Sequence, residues 1–201
     1  YLQGVDLANR SDYFVAGVLD DTDPQAVELA RMDRYQKKGY PFYKARIRAN
    51  AENYRMGRGR TLLDATSLGE AVVQDLSDIE ADGYAFTGTT AKYEVVQDLA
   101  RMLAEHRLLL PPERDIIDEL RYFEYEVTES KRLKMEAAQG HDDIVMALAL
   151  GAHLAAIPRR LGLMRAGALP SVTPRPHSLS KPSRALVPDP WAALFAEEDD
   201  A

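Results

Sequence analysis

The sequence predicts an α/β fold, in which helices flank a mixed β-sheet and a disordered tail follows. Two apolar runs joined by a short turn open the chain as a β-hairpin. Short apolar runs then alternate with segments whose apolar residues recur at helical spacing. Proline recurs six times from Pro170 onwards without any periodic pattern. We therefore predict one domain over residues 1–160 and a proline-rich, disordered tail over residues 161–201.

The turn and period signals give the elements in order. The strands are predicted over residues 4–9, 12–20, 27–32, 61–66, 84–87, 122–127 and 133–136, the third of them at a sheet edge and the last two as a hairpin. Helices are predicted over residues 42–56, 70–81, 91–106, 113–120 and 144–157. The last helix is the most apolar and ends before Pro158, which cannot continue it.

Composition excludes several classes of protein. The 201 residues include no cysteine, which rules out disulfides and thiolate zinc sites and is compatible with a reducing compartment. No apolar run reaches the length of a membrane span, and no secretory signal is present, so no membrane partner is expected. A strand pattern begins almost directly after Tyr1, so we expect the chain to be a fragment of a longer protein.

The net charge of −7 conceals two basic segments. Residues 31–60 contain ten basic and two acidic side chains, and residues 151–188 contain six basic side chains and no acidic one. Such local surfaces suit a protein that binds phosphates beside an acidic metal site. They also suit solvated faces of no special function, and the sequence leaves both interpretations open.

Carboxylates occupy three positions that can converge on one point. Asp6 lies inside an apolar strand, Asp64 ends another, and Asp142 and Asp143 open the apolar last helix. Capping a turn or a helix would explain one such residue, but two successive aspartates exceed what one cap requires. Clustered carboxylates repel, and a divalent cation offsets that repulsion. Oxygen ligands alone favour Mg²⁺ or Mn²⁺, and two such ions can hydrolyse a phosphodiester.

Four stretches in order resemble one family. They read GVDLANRSDYFVAGVLD (residues 4–20), LLDATSLGEAVVQDL (62–76), FTGTTAKYEVVQDLARML (86–103) and GHDDIVMALALG (140–151). Together they resemble the C-terminal nuclease domain of the large terminase subunit of tailed bacteriophages, which has an RNase H-like fold. The resemblance implies a Mg²⁺- or Mn²⁺-dependent endonuclease that cleaves double-stranded viral DNA concatemers during genome packaging, using two metal ions.

The resemblance also implies the roles of individual residues. Asp6, Asp64 and Asp143 would be the catalytic, metal-binding carboxylates, with Asp142 and Asp12 as auxiliary ligands or groups behind them. Two accessory residues complete the set. His141 would orient a carboxylate or contact phosphate, and Lys92 would neutralise a phosphate or position the metal site. A helix-entry histidine and a solvated lysine are the plain alternatives for these two.

The implied partners are double-stranded DNA, an N-terminal ATPase domain outside this fragment, the portal and the small terminase subunit. The implied location is the cytoplasm of an infected or lysogenic bacterial host. The segment over residues 35–60 departs from the family pattern, because it is more basic than a connector needs to be. We predict that five of its side chains contact the DNA backbone: Arg55, Arg58, Arg60, Lys44 and Arg48.

Three other functions compete with this interpretation. An actin-like ATPase or sugar kinase also begins with a strand of the VDLG type, but it needs a second glycine-rich phosphate loop, for which residues 63–69 are a poor substitute, and the chain is too short for two such domains. A junction resolvase or transposase-like nuclease would share the fold and the carboxylates. A packaging-motor module that is active only when docked would share them too.

Overall fold

The computed structural model describes residues 1–7, 12–66, 69–87, 89–127 and 133–157. The predicted tail, residues 161–201, lies outside the described residues. No helix in the described part of the chain is both long and apolar enough to cross a lipid bilayer.

A six-stranded mixed sheet forms the centre of the domain. Its order is β5-β4-β1-β2-β3-β6, with β1 antiparallel to β2, β2 antiparallel to β3, and the other neighbouring pairs parallel. The strands are β1 (Leu2–Asp6), β2 (Phe14–Asp20), β3 (Val27–Tyr35), β4 (Thr61–Asp64), β5 (Asp82–Tyr84) and β6 (Leu108–Leu109). This is the mixed α/β sheet that the sequence predicts.

Helices cover both faces of this sheet. They are α1 (Tyr40–Asn53), α2 (Gly69–Asp75), α3 (Thr89–Ala104), α4 (Arg114–Tyr122) and α5 (Asp143–Ala156). On one face, α3, α4 and α5 bury a core that includes Leu2, Val15 and Leu62. On the other face, α1 and α2 bury a smaller core around Val5, Phe14 and Leu63. Because the inward side chains alternate along β1 and β4, Asp6 and Asp64 belong to the α5 face.

Helix α5 lies unusually close to β1. All of its residues from Asp143 to Ala152 are buried, as expected for the most apolar helix of the chain. A Cβ atom built on Gly4 would lie 2.1 Å from the carbonyl oxygen of Ala147 and 2.3 Å from the backbone nitrogen of Gly151. Only glycine permits this approach, which holds α5 directly against the central strand.

Two more strands form a separate hairpin. β7 (Phe123–Val127) and β8 (Leu133–Ala137) pair antiparallel, which confirms the predicted hairpin. Several other predicted elements differ from the structure in their bounds. Strand β3 continues to Tyr35, and its first two residues pair with β6, so it is not an edge strand over its whole length.

Helix α2 ends earlier than predicted, at Asp75 instead of residue 81. The N–H of Leu76 donates to the carbonyl oxygens of both Val72 and Val73, which tightens the chain into a 3₁₀ turn over Ser77–Ile79. The Arg48 guanidinium donates to the carbonyl oxygen of Asp75 at 2.5 Å and so satisfies the end of the helix. The chain then turns back, and β5 begins two residues before its predicted start.

Candidate functional site

Two of the predicted carboxylates lie side by side at one edge of the sheet. β1 and β4 are parallel neighbours, and their register places Val5 opposite Leu63. Asp6 and Asp64, the last residues of these strands, therefore lie opposite each other on the α5 face. Neighbouring strands are about 4.8 Å apart, so the two side chains leave the sheet at adjacent points.

The start of α5 brings the next two carboxylates to the same place. Asp143 is the first residue of α5 and is 6% exposed, and Asp142 precedes it without capping the helix through its side chain. The backbone N–H of Tyr13 donates to Oδ2 of Asp143 at 3.2 Å. Since Tyr13 directly precedes β2, this bond ties Asp143 to the strand beside β1.

The pKa values report how these carboxylates act on each other. Burial raises the pKa of Asp6 well above its usual range. The charges of Asp143, Asp64 and Asp142 raise that pKa further, in this order, and the Lys92 ammonium lowers it. Burial also raises the pKa of Asp143, although the Tyr13 N–H opposes the shift. The four predicted carboxylates thus share one electrostatic environment, and the site favours positive charge.

The accessory residues also lie at this edge. The Lys92 ammonium on α3 lies 3.1 Å from Oδ2 of Asp142. Nδ1 of His141 lies 3.5 Å from Oδ2 of Asp143, and its ring packs edge-on against Tyr13 with 5.0 Å between ring centroids. Asp12 is near enough for its charge to raise the pKa of Asp143. All seven residues predicted for the metal site and its surroundings are therefore brought together.

The donor set fits a hard divalent cation. Its oxygens all come from carboxylates, which Mg²⁺ and Mn²⁺ prefer. In the part of the chain that the structure describes, no group of three or more acidic or histidine side chains is already placed to hold a metal ion. The carboxylates are close enough to perturb each other's pKa, and a divalent cation would offset the repulsion between them.

The sequence did not predict a set of contacts behind the site, which join Glu119, Arg34 and Ile144. The buried Glu119 of α4 accepts a hydrogen bond from the N–H of Ile144 at 2.8 Å and pairs with Arg34 at 2.9 Å. Burial raises the pKa of Glu119 to about 7, which outweighs the opposing effects of these two donors. One signal was available, because Glu119 lies on the same helical face as the buried Ile116 and Leu120.

The five predicted DNA contacts do not lie with the carboxylates. Arg60 precedes β4, and its carbonyl accepts from the N–H of Gln3, so it lies at the opposite end of β1 and β4 from Asp6. Its guanidinium pairs with the buried Asp21. Three others also have acidic partners: Lys44 with Asp75 at 2.5 Å, Arg48 with Asp78 at 2.7 Å and Arg58 with Glu80 at 2.7 Å. Their contact with DNA stays a prediction.

Comparison with known proteins identifies relatives of this chain. No family model matches it. The large terminase subunit of Thermus phage G20c is 33% identical over 157 residues, which are 75% of this chain and 30% of that protein. The same subunit of Thermus virus P23-45 is 33% identical over 156 residues, with the same coverage. The chain thus spans about a third of the length of these relatives.

Solved structures agree with these relatives. The crystal structure of the large terminase nuclease from thermophilic phage G20c with bound magnesium has a TM-score of 0.68 and 30% identity, covering 76% of this chain and 79% of that one. The same nuclease with bound cobalt has a TM-score of 0.66 at the same identity and coverage. Fold and acidic site together define an RNase H-like nuclease domain. Within that class, the chain belongs to the nuclease domains of phage large terminase subunits.

Proposed function

We propose that this chain is a divalent-metal-dependent endonuclease that cleaves double-stranded viral DNA concatemers during genome packaging. The observation that carries the proposal is the meeting of Asp6 and Asp64 on adjacent parallel strands, beside Asp143 at the start of α5. Magnesium and cobalt bound to related nuclease domains support the use of a divalent ion. Two ions of Mg²⁺ or Mn²⁺ are the cofactors proposed here.

The residues divide the work between binding and orientation. Asp6, Asp64 and Asp143 would hold the metal, with Asp142 and Asp12 as auxiliary groups. When bound, the ions would supply an activated water and charge stabilisation for the phosphodiester oxygens. Lys92, which pairs with Asp142, would neutralise a phosphate at the mouth of the site. His141 would orient Asp143 through the contact between the two side chains.

The proposed partners extend beyond this chain. The relatives are about three times as long as the matched segment. An N-terminal ATPase domain that moves the DNA is the first partner proposed. The portal and the small terminase subunit are the further partners proposed, with the cytoplasm of an infected or lysogenic bacterium as the place of action.

The first prediction tests the activity itself. We expect the protein to nick and linearise supercoiled plasmid with Mn²⁺ or Mg²⁺ and to lose this activity in EDTA. Asp6→Ala and Asp143→Ala should each slow cleavage at least about 100-fold, because metal stabilisation of the transition state is worth several kcal/mol. The measurement is the rate of loss of supercoiled DNA on a gel.

Asp20→Ala is the matched control, since Asp20 ends a strand of the same sheet but lies at its opposite edge. It should cut like the wild type. Equal cutting by the wild type, Asp6→Ala and Asp143→Ala would refute the metal-nuclease proposal. Cutting by none of them would favour the module that is active only when docked.

The second prediction concerns the basic segment. Arg60 and Asp64 are about 13 Å apart along β4, or about four phosphates along one strand, so one duplex is long enough to reach both ends. Arg55 and Arg58 are exposed there, and Arg58 pairs with the exposed Glu80, whereas Arg60 pairs with the buried Asp21. We expect Arg55→Ala with Arg58→Ala to weaken duplex binding and to reduce the slope of log K against log salt by about 2.

Lys37 and Lys38 provide the comparison. Both are exposed, and they follow β3 at the carboxylate edge, because Tyr35 pairs with Phe14 beside the end of β1. If replacing these two lysines by alanine reduces the salt slope while the arginine pair leaves it unchanged, the predicted contact by the basic segment is wrong. The measurement is fluorescence anisotropy of a labelled duplex between about 50 and 200 mM salt.

A further inference from the structure

A closed ring of contacts surrounds Asp143. Its Oδ2 accepts from the N–H of Tyr13 at 3.2 Å. The Arg34 guanidinium lies over the Tyr13 ring, 4.0 Å from the ring centroid. Arg34 then pairs with Glu119, and Glu119 accepts from the N–H of Ile144, the residue that follows Asp143. The ring therefore holds Asp143 from its side chain and from its backbone.

The helix start explains why the backbone contact matters. The first amides of a helix have no partner within it, and the side chain of Asp142 does not cap α5. Glu119, on a different helix, satisfies one of these amides in the interior, where an unpaired N–H is costly. The carboxylate oxygen of Glu119 thus fixes where the first turn of α5 begins.

Two carboxylates of α4 bind Arg34, and only one reaches α5. Asp115 binds the guanidinium at 2.6 Å, but its side chain is 66% exposed. The side chain of Glu119 is 8% exposed and contacts both Arg34 and Ile144. Asp115 can therefore neutralise Arg34 without Glu119. The hydrogen bond to the N–H of Ile144, in contrast, requires Glu119.

We propose that Glu119 is a positioning residue, which sets the place of the metal-binding Asp143 by accepting the hydrogen bond from Ile144 while it holds Arg34. The inference rests on the proposed metal-dependent function and extends it to a group that lies behind the ligands. Residues behind a metal ligand commonly change metal affinity about 10–100-fold when they are replaced.

Two conservative variants of Glu119 separate the effect of side-chain length from that of charge. Glu119→Asp keeps the charge but shortens the side chain by one methylene, so it cannot span Arg34 and Ile144 together. Glu119→Gln keeps the length and one acceptor oxygen, which can still accept from the N–H of Ile144, but its NH2 group cannot accept from Arg34 and the charge is lost. We expect Glu119→Asp to weaken Mn²⁺ binding about 10-fold by isothermal titration calorimetry. Glu119→Gln and the control Asp115→Ala should stay within about threefold of the wild type.

A second measurement does not depend on the metal. Amide hydrogen exchange of Ile144 in the metal-free protein should be faster in Glu119→Asp than in the wild type and unchanged in Asp115→Ala. If the wild type fails to bind Mn²⁺, the proposed function fails, and the exchange rate alone then decides the role of Glu119.

Three results would overturn the inference. They are an Ile144 amide that exchanges equally in Glu119→Asp and the wild type, a Mn²⁺ affinity in Glu119→Gln as low as in Glu119→Asp, and an equal loss in Asp115→Ala. If Glu119→Asp does not fold, Glu119→Gln still tests the inference, because an affinity loss beyond about threefold would contradict it.

Discussion

Replacing Asp6 by asparagine is expected to stabilise the metal-free protein while it abolishes cleavage. Asp6 is partly buried among three carboxylates, and both burial and their charges raise its pKa well above the usual range. An ionised Asp6 therefore opposes folding when no cation is bound, and the neutral amide removes that cost. Each 1 kcal/mol gained raises the Tm of a domain of this size by about 2–4 °C, which differential scanning fluorimetry resolves.

The pH dependence of this gain has a definite sign. An acid whose pKa is raised on folding contributes stability below its unfolded pKa of about 3.9, and this is lost as the pH rises through the folded pKa. The difference in Tm between Asp6→Asn and the wild type should therefore grow with pH across that interval. Added Mn²⁺ should raise the Tm of the wild type and leave that of Asp6→Asn nearly unchanged.

Asp20→Asn provides the matched control with the opposite expectation. Hydrogen bonds from Thr22 lower the pKa of Asp20, so its ionised form favours folding. Its replacement should leave the stability unchanged or lower it slightly. A lower Tm for Asp6→Asn than for the wild type at neutral pH, without metal, would show that repulsion among the carboxylates does not destabilise the folded protein.

The carboxylate site was predictable because it follows from local signals. A charge in an apolar strand, a charge at a strand end and two charges at a helix start each break a local pattern. Parallel pairing of β1 with β4 then brings Asp6 and Asp64 to one edge, as strand order in such sheets commonly does. Local exceptions to burial rules thus indicated which carboxylates would meet, and their roles as metal ligands stay a prediction.

The contacts behind the site were not predictable in the same way. Arg34 and Glu119 are 85 residues apart, and Glu119 and Ile144 are 25 apart. Before the chain is folded, each charge resembles those of an ordinary solvated face. The same applies to Arg48 and Arg60, whose acidic partners lie 30 and 39 residues away. A charge count records how many basic residues a segment has, but not which of them are already paired.

Gly4→Ala is expected to destabilise the protein strongly although it adds only one methyl group. The added Cβ would lie 2.1 Å from the Ala147 carbonyl oxygen and 2.9 Å from Cα of Gly151, both in the backbone of α5. A helix backbone cannot move aside as a side chain can, so the cost should reach or exceed the upper end of ordinary overpacking, about 3 kcal/mol. The corresponding fall in Tm is roughly 6–12 °C.

Gly17→Ala is the matched control, because Gly17 is the register partner of Gly4 on β2. Its added Cβ would meet only side chains, the nearest at 3.7 Å, so its Tm should stay close to that of the wild type or rise slightly. Equal Tm values for the two variants would mean that β1 and α5 separate without cost.

Gly4→Ala should also slow DNA cleavage. Moving α5 away from β1 moves Asp143 away from Asp6, since Asp143 begins that helix and Asp6 ends that strand. At a temperature where Gly4→Ala is fully folded, cleavage should fall by up to about 100-fold, as a misplacement near 1 Å can produce. Mn²⁺ affinity should fall with it. Wild-type cleavage by a folded but destabilised Gly4→Ala would show that the approach of α5 to β1 serves stability alone.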